Sequence, residues 1–255
     1  MSASNISAIR PNIDHWEDRV DLACAFRWTA RLNMHEAVAN HFSLAVSDDG
    51  RKFLMNPNGR HFSRIRASDL LLLDADDMTT MERPDAPDRT AWDLHGAIHR
   101  NVPGAKCVLH VHSKYALALA CLEDSTLPPI DQNSMRYYGR IVVDDGFDGM
   151  GLGDEAERVS HAFRENPSKP VMIMGNHGVM IIGPTVAEAF DELYYFERSC
   201  ETYITALSTG RPLRVASHEV AAKTCRQWIE YPGMGDLHFK ECKAILDDEG
   251  SDYRR

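Results

Sequence analysis

Two histidines one residue apart, His110 and His112, and a third in Gly175-Asn176-His177-Gly178 are the residues of this chain best suited to chemistry. The pair ends an apolar run, Lys106-Cys107-Val108-Leu109-His110-Val111-His112, whose β-branched content predicts a strand. Alternate side chains of a strand leave the same face, which directs both imidazoles into one site. His177 falls between two more strand-like runs, Pro170 to Met174 and Val179 to Ile182. Its flanking glycines suit a tight turn that pushes the ring outward, and Asn176 is expected to shape that turn without a chemical role. Three imidazoles converging from rigid strands cradle a divalent cation and leave positions open for water or substrate.

The elements that must position these rings alternate along the chain. Leu22, Ala23, Phe26 and Ala30 recur at helical spacing, which predicts a helix from about Asp14 to Leu32 with Asp14 as its cap. Phe42 to Ser47 and Lys52 to Met55 read as a hairpin turned by Asp48-Asp49-Gly50. Asn56 to Gly59 is a loop by composition, and Leu70 to Asp74 a buried strand. The polar stretch from Ala75 to Asp88 reads as a loop, followed by a helix from Arg89 to Asn101 that Asp88 starts and Pro103 stops. A helix over Ser113 to Leu122, a strand from Arg140 to Asp144, a glycine-rich loop from Gly146 to Gly153 and a helix from Asp154 to Asn166 come next. Val186, Ala189, Phe190, Leu193, Phe196, Cys200, Tyr203 and Leu207 predict a long amphipathic helix. The tail from Val215 reads as one or two polar helices around Tyr231 to Gly235. Strands interleaved with helices, several of them in hairpins, predict an α/β fold: a mostly antiparallel central sheet with helices on its faces. Residues 1–210 are expected to form the domain and 211–255 a helical extension of it.

At 255 residues the chain can bury one large core, and 44% hydrophobic with 26% charged residues is ordinary for a soluble globular protein. The net charge of −10 advertises no basic face, which disfavours nucleic acid as a partner. No apolar stretch has the length to cross a bilayer, and the first residues lack the basic and apolar blocks of a signal peptide. Six cysteines without close pairs suit buried thiols in a reducing compartment. The expectation is a cytoplasmic protein with a small-molecule substrate and no membrane partner.

The order of motifs resembles the class II aldolase/adducin family over roughly residues 16 to 210. The residues that carry the likeness are Asn40-His41-Phe42-Ser43, Met55 to Gly59, Ala91-Trp92-Asp93-Leu94-His95, Val108 to His112, Gly175 to Gly178, and Ala187 to Arg198. The resemblance implies a three-layer α/β/α fold and a divalent metal, usually zinc with manganese or iron(II) as alternatives, held by His110, His112 and His177. It also implies a homotetramer with the site between subunits.

The departures from the family pattern bear on the reaction. Sugar-phosphate aldolases of the family place a catalytic glutamate in Ser-Ser-Glu, and that segment here reads Arg89-Thr90-Ala91. A methyl group cannot remove a hydroxyl proton. Their phosphate-binding segments correspond to Asn40, Asn58, Gly59, Arg89 and Thr90, which makes these the candidate substrate-binding residues. Arg89 at a helix start suits a bidentate clamp on a carboxylate, or equally a solvated pairing with Asp85 or Asp88. His95, His41 and Tyr138 are the candidates to handle protons in place of the glutamate. For His95 a satisfied core role competes. Glu197 suits either orienting a metal histidine or packing at a helix start.

Decarboxylation needs an electron sink but no base acting on a hydroxyl first, and members of the family do decarboxylate. The leading expectation is a metal-dependent carbon–carbon lyase of aldolase or decarboxylase type. It would act on a small hydroxy- or keto-acid, or a related carbonyl compound, through a metal-stabilised enolate. The alternatives are a non-catalytic assembly module of adducin type, or a sugar-phosphate aldolase or epimerase with a replacement acid/base.

Overall fold

Seven short, mostly apolar runs, rich in Val and Ile from the fourth onward, pair into one sheet in the computed structural model, which describes residues 13–149, 154–231 and 233–255. The strands are β1 (His41–Ala45), β2 (Lys52–Met55), β3 (Leu71–Asp74), β4 (Cys107–Val111), β5 (Ile141–Asp144), β6 (Val171–Met174) and β7 (Gly178–Gly183). Their order is β3-β2-β1-β4-β7-β6-β5, and every neighbouring pair is antiparallel except β5 with β6.

The central strands β4, β6 and β7 are buried throughout, so both faces of the sheet are covered. Cys107, Leu109 and Val111 point to one face, where they join a core with α1 (Trp16–Arg31), α3 (Lys114–Ala120), α5 (Val186–Ser208) and α7 (Met234–Asp248). Val108 points to the other face and packs with α2 (Arg89–Asn101) and α4 (Glu155–Arg164). This alternation produces the three layers. The helix α6 (His218–Glu230) packs on the 3-10 segment Ser134–Tyr137, and α7 lies along α5 and α1.

The predicted elements are present, with local differences. Asp14 does not cap α1 with its side chain. His15 occupies the cap position at φ +61, and Asp14 instead contributes its carbonyl oxygen to Arg19 Nε at 2.8 Å. The stretch read as a loop before α2 contains a 3-10 segment, Met78–Glu82, started by the Asp77 carboxylate accepting from the Thr79 amide. Residues 150–153 of the expected glycine-rich loop lie outside the described residues. The five cysteines 24, 107, 200, 225 and 242 are buried, Cys121 is exposed, and all six are free thiols. No helix among the described residues is long and apolar enough to cross a membrane.

Asn176 shapes the turn between β6 and β7 as expected, whereas the glycines work differently from the expectation. The left-handed residue is Asn176, at φ +58, and neither flanking glycine has a positive φ. Asparagine tolerates that conformation through local hydrogen bonding. Gly178 instead permits close approach: a Cβ there would meet Val111 O at 2.7 Å and His112 Cδ2 at 2.8 Å. Gly178→Ala is therefore expected to lower stability by about 1–3 kcal/mol in urea denaturation, since the obstructing backbone is central in the sheet. A variant within about 0.5 kcal/mol of the parent would contradict that packing.

Candidate metal centre and its cavity

Strand pairing decides which side chains meet. β1 pairs with β4 in a register that sets His41 opposite His110, and the two rings stack with centroids 4.8 Å apart. On the other side of β4, Val111 pairs with Val179, which draws the Gly175 to Gly178 turn alongside His110 and His112. Ring centroids are 5.0 Å apart for His110 and His112, 4.8 Å for His110 and His177, and 5.1 Å for His112 and His177. One nitrogen from each ring lies within 4.8 Å of the others.

His112 stands one residue beyond β4, where its backbone needs other anchors. Glu197 of α5 accepts from Ser113 Oγ at 2.7 Å and from the Tyr115 and Ala116 amides at 3.0 Å, which pins the start of α3. Of the two roles expected for Glu197, the helix-start role is the one its contacts describe. Asn40 Oδ1 accepts from the Glu36 amide at 2.7 Å and the His112 amide at 3.4 Å, tying the preceding loop to the same point.

The contacts of the outer ring nitrogens fix their protons. His110 Nδ1 lies 3.1 Å from the Val179 carbonyl, which can only accept, so that nitrogen carries the proton. His112 Nδ1 donates to Glu36 Oε2 at 2.7 Å. Burial holds His110 well below its ordinary pKa, and burial likewise lowers His112 against the pull of Glu36. Both rings are thus neutral near pH 7, with Nε2 bare. These two bare nitrogens face each other at 3.1 Å, an arrangement that is unfavourable unless an electron-pair acceptor lies between them. His177 Nδ1 is buried without a hydrogen-bond partner, 3.3 Å from Glu155 Oε1. Three nitrogen donors, two of them backed by a carbonyl and a carboxylate and the third beside Glu155, fit a divalent transition metal.

A cavity of about 580 Å³ opens in front of the three histidines. Asn40, Asn58, Thr90, Ala91 and His41 line it, joined by Glu36, Asn56, Asp88, Phe147 and Glu155, which sequence reasoning did not assign to the site. Asp88 carried a signal, because a cap three residues before Ala91 must share that end of α2. Glu36 and Glu155 carried none. Four of the candidates do not line the cavity. Arg89 is exposed, Gly59 takes φ +70 in its own turn, His95 is fully buried behind His41, and the Tyr138 hydroxyl is hydrogen-bonded with His218 Nδ1 at 2.8 Å beside α6. No lysine or arginine is among the described residues of the wall.

Behind His41 runs a buried hydrogen-bonded chain. His41 Nδ1 meets His95 Nε2 at 2.7 Å, and His95 Nδ1 meets Ser43 Oγ. Ser43 Oγ meets His99 Nε2 at 2.7 Å, and His99 Nδ1 meets the Ala105 carbonyl at 2.9 Å. Burial pushes His41 down to about 3 and His99 down to about 4, and holds His95 well below its ordinary value.

These depressed values make acid destabilising. An unfolded histidine titrates near 6.5, so between that pH and about 4 the unfolded chain binds protons that the folded chain refuses. The stability from these rings is complete above pH 6.5 and is lost as pH falls towards their folded values. Each contributes a slope of up to about 1.4 kcal/mol per pH unit. The urea midpoint should drop between pH 7 and pH 5, and His99→Leu should flatten that drop. A midpoint unchanged over this range would contradict neutral, buried rings.

The family model described as Class II Aldolase and Adducin N-terminal domain matches residues 20–204. A solved structure of an aldolase II superfamily protein from Pseudomonas syringae superposes with a TM-score of 0.85 at 31% identity, covering 97% of this chain and 99% of that one. A Caulobacter vibrioides protein that carries the aldolase class 2 name is 29% identical over 242 residues, covering 93% of this chain and 92% of its own. The decarboxylase NovR of Streptomyces niveus is 28% identical over 207 residues, covering 80% of this chain and 75% of its own. Match, superposition and motif order agree: the chain belongs to the class II aldolase and adducin family.

Proposed function

We propose that the protein is a metal-dependent carbon–carbon lyase, in which His110, His112 and His177 hold a divalent cation, most favourably zinc, with manganese or iron(II) as alternatives. The observation that carries this reading is the pair of bare Nε2 atoms 3.1 Å apart, with His177 beside them, at the floor of the cavity. A role confined to assembly makes no use of that arrangement. When bound, such a cation supplies a Lewis acid that stabilises negative charge on a substrate oxygen.

The remaining wall narrows the substrate. Glu36, Asp88 and Glu155 bring carboxylates, and the absence of lysine and arginine among the described lining residues disfavours a phosphate ester. A small hydroxy- or keto-acid fits better, because it carries one negative charge, which the cation itself can bind, where a phosphate ester carries nearly two. Asn40 Nδ2, buried and without a partner, offers a donor to a substrate oxygen. Thr90 is partly committed, since its hydroxyl donates to Asp88 at 2.6 Å. Ala91 places a methyl group where aldolases of the family place their glutamate, and His41 is too weakly basic to strip a hydroxyl proton readily. Decarboxylation demands neither group before the bond breaks, which favours a carboxy-lyase over an aldehyde-lyase.

The supporting features extend to context. Free, mostly buried cysteines suit the cytoplasm, and exposed Val220, Ile229, Tyr231 and Leu237 around α6 and α7 suit association of copies, as in a homotetramer. In such an assembly Tyr138 would act only at a neighbouring subunit's cavity.

Elemental analysis of the purified protein should find about one divalent metal per chain, and His112→Ala should lose metal and turnover together. Unchanged metal content in that variant would overturn the ligand set. Glu36→Gln should weaken metal binding by about 10–100-fold, because the carboxylate orients His112. With metal-replete protein, a panel of keto-acids, aromatic hydroxy-acids and sugar phosphates should release carbon dioxide from an acid. An aldehyde product would mark aldol cleavage, an isomer would mark an epimerase, and no turnover would sink the enzymatic reading.

A further inference from the structure

We infer that the backbone carbonyl of Ala105 sets the tautomer of His41 through four consecutive hydrogen bonds, leaving His41 Nε2 as a bare acceptor for a substrate hydroxyl. Ser43, His95 and His99 are then positioning residues that act through His41.

The direction of every bond follows from the first. A carbonyl oxygen only accepts, so His99 Nδ1 must carry a proton to bond Ala105 O at 2.9 Å. In a neutral ring this leaves His99 Nε2 bare, and Ser43 Oγ, 2.7 Å away, must donate to it. A hydroxyl has one proton, so Ser43 Oγ can only accept from its other partner, and His95 Nδ1 donates. His95 Nε2 is therefore bare, and His41 Nδ1 donates to it at 2.7 Å. The nitrogen left over is Nε2 of His41, the ring that lines the cavity. All three rings are buried, His95 completely, where a charged imidazolium is disfavoured.

A satisfied cluster of polar core residues usually admits either proton direction. Here the carbonyl at the far end removes the choice. His41 is also held from both sides, by strand pairing opposite His110 and by His95 beneath it, so its ring has little freedom to flip.

Resting on the lyase reading, the consequence for substrate choice is direct. A group that only accepts selects a ligand that brings a donor to that place, which among the proposed acids means a hydroxy-acid over its deoxy analogue. A site built to bond a hydroxyl rejects the analogue lacking it by up to about 10⁴-fold.

The test is ring-nitrogen NMR on the full-length protein carrying ¹⁵N-labelled histidine, as purified and after chelation. The expected spectrum shows protonated Nδ1 and bare Nε2 for His41, His95 and His99. Ser43→Ala should convert His41 to a mixture of the two tautomers, and Ser43→Thr, which keeps the hydroxyl, should restore the single form. A parent protein with its proton on His41 Nε2 would overturn the inference, as would a Ser43→Ala spectrum unchanged from the parent. The parent spectrum decides the matter even if Ser43→Ala does not fold. Because the readout needs no turnover, a correct tautomer in an inactive protein would refute the lyase reading alone.

Discussion

The pairing of β4 with a partner on each side is the constraint on which the site depends. One antiparallel neighbour sets His41 against His110, and the other brings the His177 turn level with His112. Antiparallel registers are all-or-none, because a slip by one residue sends every side chain to the opposite face. β4 has both faces committed: Leu109 and Val111 to the core under α5, Val108 to the core under α2. The register that buries these residues is the register that gathers the histidines. Fold stability and site geometry are therefore the same set of contacts.

Burial then does the electrostatic work. His41, His110 and His112 lie where burial disfavours an imidazolium, so these rings remain neutral and must settle which nitrogen holds the proton. Backbone carbonyls and carboxylates settle it. Val179 O and Glu36 draw the protons of His110 and His112 away from the point where their Nε2 atoms meet, and Ala105 O does the same for His41 at a distance. The outcome is a cavity floor of unprotonated nitrogens inside a wall rich in carboxylates, a surface that asks for a cation. Fixing these states before any ligand arrives removes a reorganisation cost that a flexible site would carry.

Much of this was legible in the residues themselves. His110 and His112 stand out because a period of two on an apolar strand is unambiguous, and His177 because two apolar runs bracket it. The amphipathic periodicity of α5 and the cap-to-proline span of α2 located those helices closely. Other features need the folded chain. Residue type leaves Arg89 equally suited to an anion clamp or to solvent, and on α2 it is exposed and outside the cavity wall. At the β6–β7 turn Asn176 holds the left-handed position, while Gly178, instead of turning the chain, makes room for Val111 and His112. Glu36 sits in a loop without periodicity and Glu155 at the start of α4, far in sequence from the histidine strand, so only the folded chain brings them near the imidazoles. His95 shares a helix face with Ala91, but its depth beneath His41 removes it from the cavity.

The central claim is that three imidazoles on adjoining strands and a turn share one cation. X-ray absorption spectroscopy of the metal-loaded protein tests it most directly. The account expects a first shell with three imidazole nitrogens at about 2.0–2.1 Å, completed by oxygen. A shell of oxygen alone, or one containing cysteine sulfur, would contradict it.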